Sequence, residues 1–254
     1  MKAAIVTGAS RGIGRAIALR LAADGARVVL TARDENALRD VAKKIEQTGG
    51  EACLVAADLR VPESTAKIVD TAAARYGGID IVVNNAGATK RGEFESLTDE
   101  DLFDGFALKF FGAVRLTRAA WPHLKRSGGS VVFIGGSGGK TPGAQFTIGG
   151  PVNAALLSLT KALADLGVKD GVQVNAINPG PVRTARLEKR LAALAAEKSI
   201  DLAAAEQQFI RQERIARIGE PEDIAAMVAF TVGAQGRLLH GSIIDMDGGA
   251  TKSL

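Results

Sequence analysis

Thr7-Gly8-Ala9-Ser10-Arg11-Gly12-Ile13-Gly14 is the stretch on which the reading of this chain turns. It follows an apolar, β-type run, Ala3–Val6, and opens a helical pattern near 13–24. Glycines in a strand-to-helix turn meet three needs: a tight turn, a backbone that a ligand can approach, and close packing of helix on strand. A helix starting there presents unbonded N–H groups and the positive end of its dipole, a combination that binds phosphate. The spacing is T-G-x-x-x-G-x-G rather than G-x-G-x-x-G. Strand, loop and helix agree on a phosphate loop, against a glycine-rich turn with no ligand.

Outward from that loop, strand-like and helical segments alternate. Ala3–Val6, Arg27–Thr31, Ala52–Ala56, Ile79–Val83, Ser130–Ile134, Gln173–Ile177 and Ser242–Asp245 read as seven strands. Their apolar character is nearly continuous, as in strands covered on both faces. Helical patterns fall near 13–24, 34–48, 63–76, 98–125, 152–167 and 221–233. The alternation predicts an α/β fold, a doubly wound sheet of about seven parallel strands flanked by helices. No linker-like tract divides residues 1–254, so one nucleotide-binding domain is expected. The charged, Ala-rich segment 184–217 breaks the rhythm and reads as a helical flap beyond the carboxyl ends of the strands.

Composition narrows the function classes. The chain is 46% hydrophobic but only 4% aromatic, so its core is built mainly from Ala, Val, Leu and Ile. A lone Cys53 excludes an internal disulfide and suits a reducing cytoplasm. A net charge of +4 without a basic run argues against nucleic acid. The N-terminal apolar run is too short for a signal peptide, and no stretch of about 18 apolar residues predicts a membrane span. His123 and His240 stand alone, so no metal is expected.

The second strand bears on the choice of cofactor. A fold specific for NAD places an acid about 20 residues after its glycine loop, on the ribose 2′-hydroxyl. Here Ala32 stands at that position and Arg33 follows, with Arg11 in the loop itself. Two guanidiniums and no carboxylate suit a 2′-phosphate, which favours NADP over NAD. Asp34 is read as a helix N-cap rather than as the missing acid.

The chain resembles the short-chain dehydrogenase/reductase family, a Rossmann-type fold, over nearly its whole length. The glycine loop, Asp58, Asn84-Asn85-Ala86-Gly87, Asn178-Pro179-Gly180, Arg217-x-Gly219-x-Pro221 and Asp247-Gly248-Gly249 carry the resemblance, in family order and spacing. It implies a cofactor site of Gly8, Ser10, Arg11, Gly12, Ile13, Gly14 and Arg33. Asp58 and Leu59 would meet the adenine, Asn85, Ala86 and Gly87 would line the cofactor, and Pro179, Gly180, Val182 and Thr184 would pass the carboxamide. It also implies a homotetramer or homodimer. Apolar residues on several faces of the helical segments at 98–125 and 152–167 point the same way: Phe103, Phe106, Phe110, Phe111 and Leu116 in the first, Leu156, Leu157, Leu159 and Leu163 in the second.

The catalytic side departs from the family, which uses Asn, Ser, Tyr and Lys. Flanking residues place Lys109 at the asparagine position, Gly136 at the serine position with Ser137 one residue on, Gly149 at the tyrosine position and Asn153 at the lysine position. Tyr76, the only tyrosine, lies before Asn84 and serves none of these. Lysine and asparagine have exchanged places across two segments that the family fold brings together. Lys109, Ser137 and Asn153 are therefore the candidate catalytic residues. Lys109 is expected within about 3 Å of an Asn153 oxygen or a cofactor ribose hydroxyl, or joined to one through a single water. Pro151 predicts a helix starting near it, with Gly149 in a loop. The glycines at 135, 136, 138, 139, 149 and 150 suggest open space for a bulky substrate. Arg183, Arg186, Lys189, Arg190, Arg211, Arg214 and Arg217 suggest a mobile flap and an anionic small-molecule substrate.

Three functions follow. The first is an NADP(H)-dependent oxidoreductase acting on a carbonyl/alcohol pair with a non-standard proton donor. The second is an NADP-binding pseudoenzyme with a regulatory or scaffold role. The third is a lyase or isomerase built on the same frame.

Overall fold

A computed structural model describes residues 1–252 of the chain. Seven strands form one parallel sheet: β1 Ala3–Thr7, β2 Arg27–Ala32, β3 Ala52–Ala56, β4 Ile81–Asn84, β5 Ser130–Ile134, β6 Gln173–Pro179 and β7 Ile243–Met246. Their order is β3-β2-β1-β4-β5-β6-β7. This is the expected doubly wound α/β architecture. The order reverses between β1 and β4, and a crevice opens there beyond the carboxyl ends of the strands.

Alternate residues of each strand face opposite layers, and both layers are buried. Ala4 and Val6 of β1 join the cluster under α1 (Gly12–Ala23), α2 (Glu35–Gln47) and α9 (Pro221–Val232). Ala3 and Ile5 join the cluster under α3 (Glu63–Tyr76), α5 (Gly112–Ser127) and α6 (Gly149–Asp170). Burial on both faces explains why the strands read as apolar runs rather than as alternating patterns.

The helical pattern near 98–125 resolves into three parts. α4, Asp99–Gly105, starts at a capping box of Thr98 and Asp101. A π-helical turn, Phe106–Phe111, follows, and α5 continues from Gly112. Such turns widen a helix locally and shift the side chains they carry, a change that apolar periodicity does not reveal. Lys109 sits in the π turn. Leu116, Leu156 and Leu157 belong to the core, whereas Phe103 and Phe111 are exposed.

α6 begins at Gly149, two residues earlier than Pro151 predicted. First-turn N–H groups have no intrahelical acceptor, so Pro151 removes no bond in the third helical position. The residue before it is Gly150, which lacks the Cβ that would clash with the proline ring in helical conformation. Gly149 is therefore a helical residue, not a loop residue.

Segment 184–217 contains α7, Ala185–Lys198, and α8, Leu202–Glu213. The two share a small cluster of Leu187, Leu191, Phe209, Ile215 and Ile218. A parallel bridge from Val182 to Gly219 ties the base of this hairpin together. Among the described residues no helix is long and apolar enough to cross a membrane.

Candidate active site

The glycine loop is shaped by its neighbours as much as by its own residues. Gly8 and Gly12 have φ of +66° and +54°, the left-handed region where side chains are strained. A Cβ on Gly14 would lie 2.3 Å from the Gly8 carbonyl oxygen and 2.4 Å from Asn85 Nδ2. Asn85 Nδ2 donates to Thr7 O at 2.8 Å, while the Asn85 and Ala86 N–H groups both donate to Thr7 Oγ1 at 2.9 Å. The ends of β1 and β4 are thus knitted together at the topological switch point. No side chain caps the N-terminus of α1, so its first-turn N–H groups remain available. Thr184, at the start of α7, lies over the loop: its Cγ2 would be 3.2 Å from a Cβ on Gly12.

At the end of β2, Asp34 accepts from Ala37 N at 3.0 Å and caps α2. Ala32 contributes no carboxylate, and Arg33 is largely exposed, with one guanidinium nitrogen 3.9 Å from Asp58. Asp58 is held mainly by Arg60, through its backbone N–H at 3.0 Å and its guanidinium at 3.2 Å. Leu59 is buried. Val182 is buried, and Gly180 lies against the Asp247 backbone, where a Cβ would be 2.7 Å from Asp247 Cα.

On the other side of the crevice, the π turn aims Lys109 inward. Its Nζ donates to Asn153 Oδ1 at 2.6 Å and to the Gly135 carbonyl at 2.8 Å. No carboxylate pairs with it among the described residues. Burial, and secondarily the positive Arg186, push its ammonium down to about 7. Its aliphatic stem covers Gly87, where a Cβ would be 2.7 Å from Lys109 Cδ. Asn153, 3% exposed, also fills the space over Gly136 and Gly139, where added Cβ atoms would lie 2.8 and 2.9 Å from it. Ser137 opens a short 3-10 turn one residue beyond, and its hydroxyl has no protein partner among the described residues. Asn178 Oδ1 accepts from Gly136 N at 3.0 Å and its Nδ2 donates to Asp245, which is paired with Lys140.

The six glycines around β5 and α6 do not leave a void. Phe146, which sequence reasoning passed over, packs its ring on Gly138 and Gly149. A Cβ on Gly149 would lie 2.0 Å from that ring, and one on Gly150 would lie 2.7 Å from Pro142. The only signal in the sequence was a phenylalanine within an otherwise polar and small-residue loop. Arg91, also missed, stands over the Phe146 ring, 4.1 Å from its centroid. Nor is the flap uniformly cationic. Arg183 is clamped by Glu206 and Glu220, Arg190 is paired with Glu213 and Arg217 with Asp223. Arg186 instead reaches the Gly87 carbonyl at 3.4 Å.

Residues 2–195 match the model of the short chain dehydrogenase family. The chain belongs to the short-chain dehydrogenase family. An uncharacterized oxidoreductase of Mycobacterium tuberculosis is 38% identical over 98% of this chain and 92% of its own. The L-sorbose reductase of Gluconobacter frateurii, complexed with NADPH and L-sorbose, superposes with a TM-score of 0.95. It is 32% identical and the match covers 100% of this chain and 97% of the reductase. A Burkholderia cenocepacia short chain dehydrogenase in complex with NADP gives a TM-score of 0.87 at 34% identity, over 98% and 97% of the two chains. Similarity of this extent covers both halves of the crevice, including the part where Lys109 and Asn153 meet, and it supports an oxidoreductase of the short-chain dehydrogenase type.

Proposed function

We propose that the protein is an NADP(H)-dependent carbonyl reductase or alcohol dehydrogenase in which Lys109, positioned by Asn153 and the Gly135 carbonyl, replaces tyrosine as the proton donor. The observation that carries this reading is the Lys109–Asn153 hydrogen bond in a crevice without a neighbouring carboxylate. Decay of a site has no reason to keep one cation and one amide in contact after exchanging their positions.

The residues present fit NADP(H). The Gly8–Gly14 cradle, with the uncapped N-terminus of α1, suits the diphosphate, and Arg11 and Arg33 suit a 2′-phosphate where no acid competes. Ser10, Ile13, Asp58, Leu59, Asn85, Ala86, Pro179, Gly180, Val182 and Thr184 would complete the site. The relatives solved with NADPH and NADP support the same choice. When bound, NADP(H) supplies or accepts the hydride.

An ammonium has three N–H donors, and two are taken by Asn153 and Gly135. The third is free to protonate a carbonyl oxygen as alkoxide charge develops on it. In the oxidative direction the neutral amine keeps both hydrogen bonds and offers its lone pair as the base. The Ser137 hydroxyl is free to orient the same oxygen. Exposed Phe103 and Phe111 support an assembly of two or four copies.

The test follows NADPH oxidation by absorbance across a panel of ketones and aldehydes at several pH values. Reduction needs the ammonium, so kcat/KM should fall by about tenfold per pH unit above a pKa near 7. Oxidation of the product alcohol should rise over the same range. Lys109→Ala should lower turnover about 10²–10⁴-fold, with NADPH affinity within a few-fold. An absence of turnover on the whole panel, with NADPH still bound, would overturn the reductase reading.

A further inference from the structure

Positive charge collects at one side of the crevice mouth, where the carboxylate of Glu213 is already paired with Arg190. Arg186 rests on the Gly87 carbonyl, and Gly87 in turn lies under the Lys109 stem. Arg91 comes from the loop after β4 and stands on Phe146. Among the described residues neither Arg91 nor Arg186 has a carboxylate within ion-pair distance, although Arg183, Arg190 and Arg217 all do. Their fields overlap: after burial itself, the like charge of Arg190 lowers Arg91, Glu213 partly offsets it, and Arg186 lowers Arg91 further. Guanidiniums gathered this way without a partner repel one another. Their planar forks match the two oxygens of a carboxylate or two of a phosphate.

We infer that Arg186 and Arg91 bind an anionic group, a carboxylate or a phosphate, carried by the carbonyl substrate whose oxygen faces Lys109. This deepens the reductase reading and rests on it for the position of the carbonyl. The preferred substrates are then oxo acids or keto-phosphates, together with the corresponding hydroxy compounds. Phe146 supplies an apolar wall between the anionic end and α6. The flap contributes one residue to this recognition, Arg186, and its other paired arginines serve to hold the hairpin together.

A consequence for the proton donor follows. The groups facing Lys109 are Asn153 of α6, the Gly135 carbonyl after β5, Gly87 after β4 and Arg186 of α7, with Arg91 beside the last. Arg186 is the charged member of that set which acts on Lys109. An anion on Arg186 offsets its charge, so Lys109 holds its proton to higher pH when an acidic substrate is bound. The substrate itself thus keeps the donor charged.

The experiment compares matched pairs: levulinate with ethyl levulinate, and dihydroxyacetone phosphate with dihydroxyacetone. In the wild-type protein kcat/KM for one or both anions should exceed that of the neutral partner by about tenfold or more. The pair with the larger ratio identifies carboxylate or phosphate as the recognised group. Arg186→Gln should bring the ratio close to one, and Arg91→Gln should lower it. Lys189→Gln, an equal loss of charge on the exposed face of α7, should keep it. The pKa seen in kcat should be higher for the anion than for its neutral partner, and Arg186→Gln should remove that difference. Equal ratios in wild type, or an Arg186→Gln defect confined to NADPH affinity, would overturn the proposal. If no compound is reduced, the same pairs are titrated against the NADPH-loaded protein by fluorescence. Tighter binding of the anion, lost in Arg186→Gln, then upholds the anion site while the reductase reading fails; equal binding defeats both.

Discussion

The two banks of the crevice follow different rules. The bank built from β1, α1 and the end of β4 uses each residue in the manner its motif implies: Gly8 and Gly12 for backbone angle, Gly14 for close approach, Asn85 to tie the strands. The bank built from the π turn, β5 and α6 is made of compensated pairs. Lys109 is held by Asn153, Gly136 makes room for Asn153, and Gly149 makes room for Phe146. On the first bank single residues have meaning alone. On the second, each residue has meaning only with its partner, so substitutions should behave non-additively there and not on the first.

The sharpest way to break this comparison is to add one methyl group to each bank. Gly14→Ala places a Cβ against the Gly8 carbonyl and the Asn85 amide, which is held by its bond to Thr7 O. Overpacking of this kind costs about 1–3 kcal/mol, and its site is the phosphate loop. NADPH affinity should fall roughly ten- to a hundredfold. Gly149→Ala meets the movable ring of Phe146, so it should lower kcat and leave NADPH affinity within a few-fold. If both changes reduce cofactor affinity alike, the two banks are one unit and the distinction fails.

A smaller effect is expected at the edge of the first bank. Arg33→Ala removes one charge-assisted contact to a 2′-phosphate, of about 1.5–3 kcal/mol before solvent exposure reduces it. The preference for NADPH over NADH should drop about tenfold in fluorescence titration. Equal loss for both cofactors would move the source of discrimination away from β2.

A further measurement tests the second bank through stability. The Lys109 ammonium, ordinarily near 10.5, is pushed down to about 7 in the folded protein. Between these values the unfolded chain binds a proton that the folded chain does not, so stability from this group rises with pH across that window. Below about 7 both states are protonated and the full cost of the buried charge is present. The melting temperature of Lys109→Met minus that of wild type should therefore be more positive at pH 6 than at pH 9.5, by up to roughly ten degrees. A difference independent of pH would mean that the ammonium is not desolvated.

The sheet was legible because strands covered on both faces write their burial directly into composition, and the glycine loop was legible because only glycine tolerates its angles. The contact of Lys109 with Asn153 was foreseeable from the places that a familiar frame gives their two segments. Other features were hidden for physical reasons. A π turn conserves apolar content while shifting direction, so 98–125 read as one helix. A proline looks like a helix start whether it occupies the first or the third position of the first turn, and Gly149 was misplaced by that degeneracy. Glycines advertise a missing side chain but not the neighbour that has moved in, so Phe146 went unnoticed. The charge of the flap was visible, but its pairing was not, because carboxylates 23 residues away, such as Glu206 for Arg183, meet it only after α7 and α8 fold against each other.

The ring of Phe146 against Gly149 also governs which sequences are reachable from this one. A tyrosine introduced at 149 collides with that ring, and clearing the ring first removes the surface on which Arg91 stands. A lysine at 153 must likewise displace the amide that now orients Lys109. On the proposed role of Lys109, each step toward a tyrosine at 149 and a lysine at 153 disturbs its present contacts before the other arrangement is complete. On that role, the order of substitutions, not just their identity, decides whether an intermediate retains a proton donor. In a library built on this chain, single reversions should be the least fit members and concerted replacements the only ones that cross.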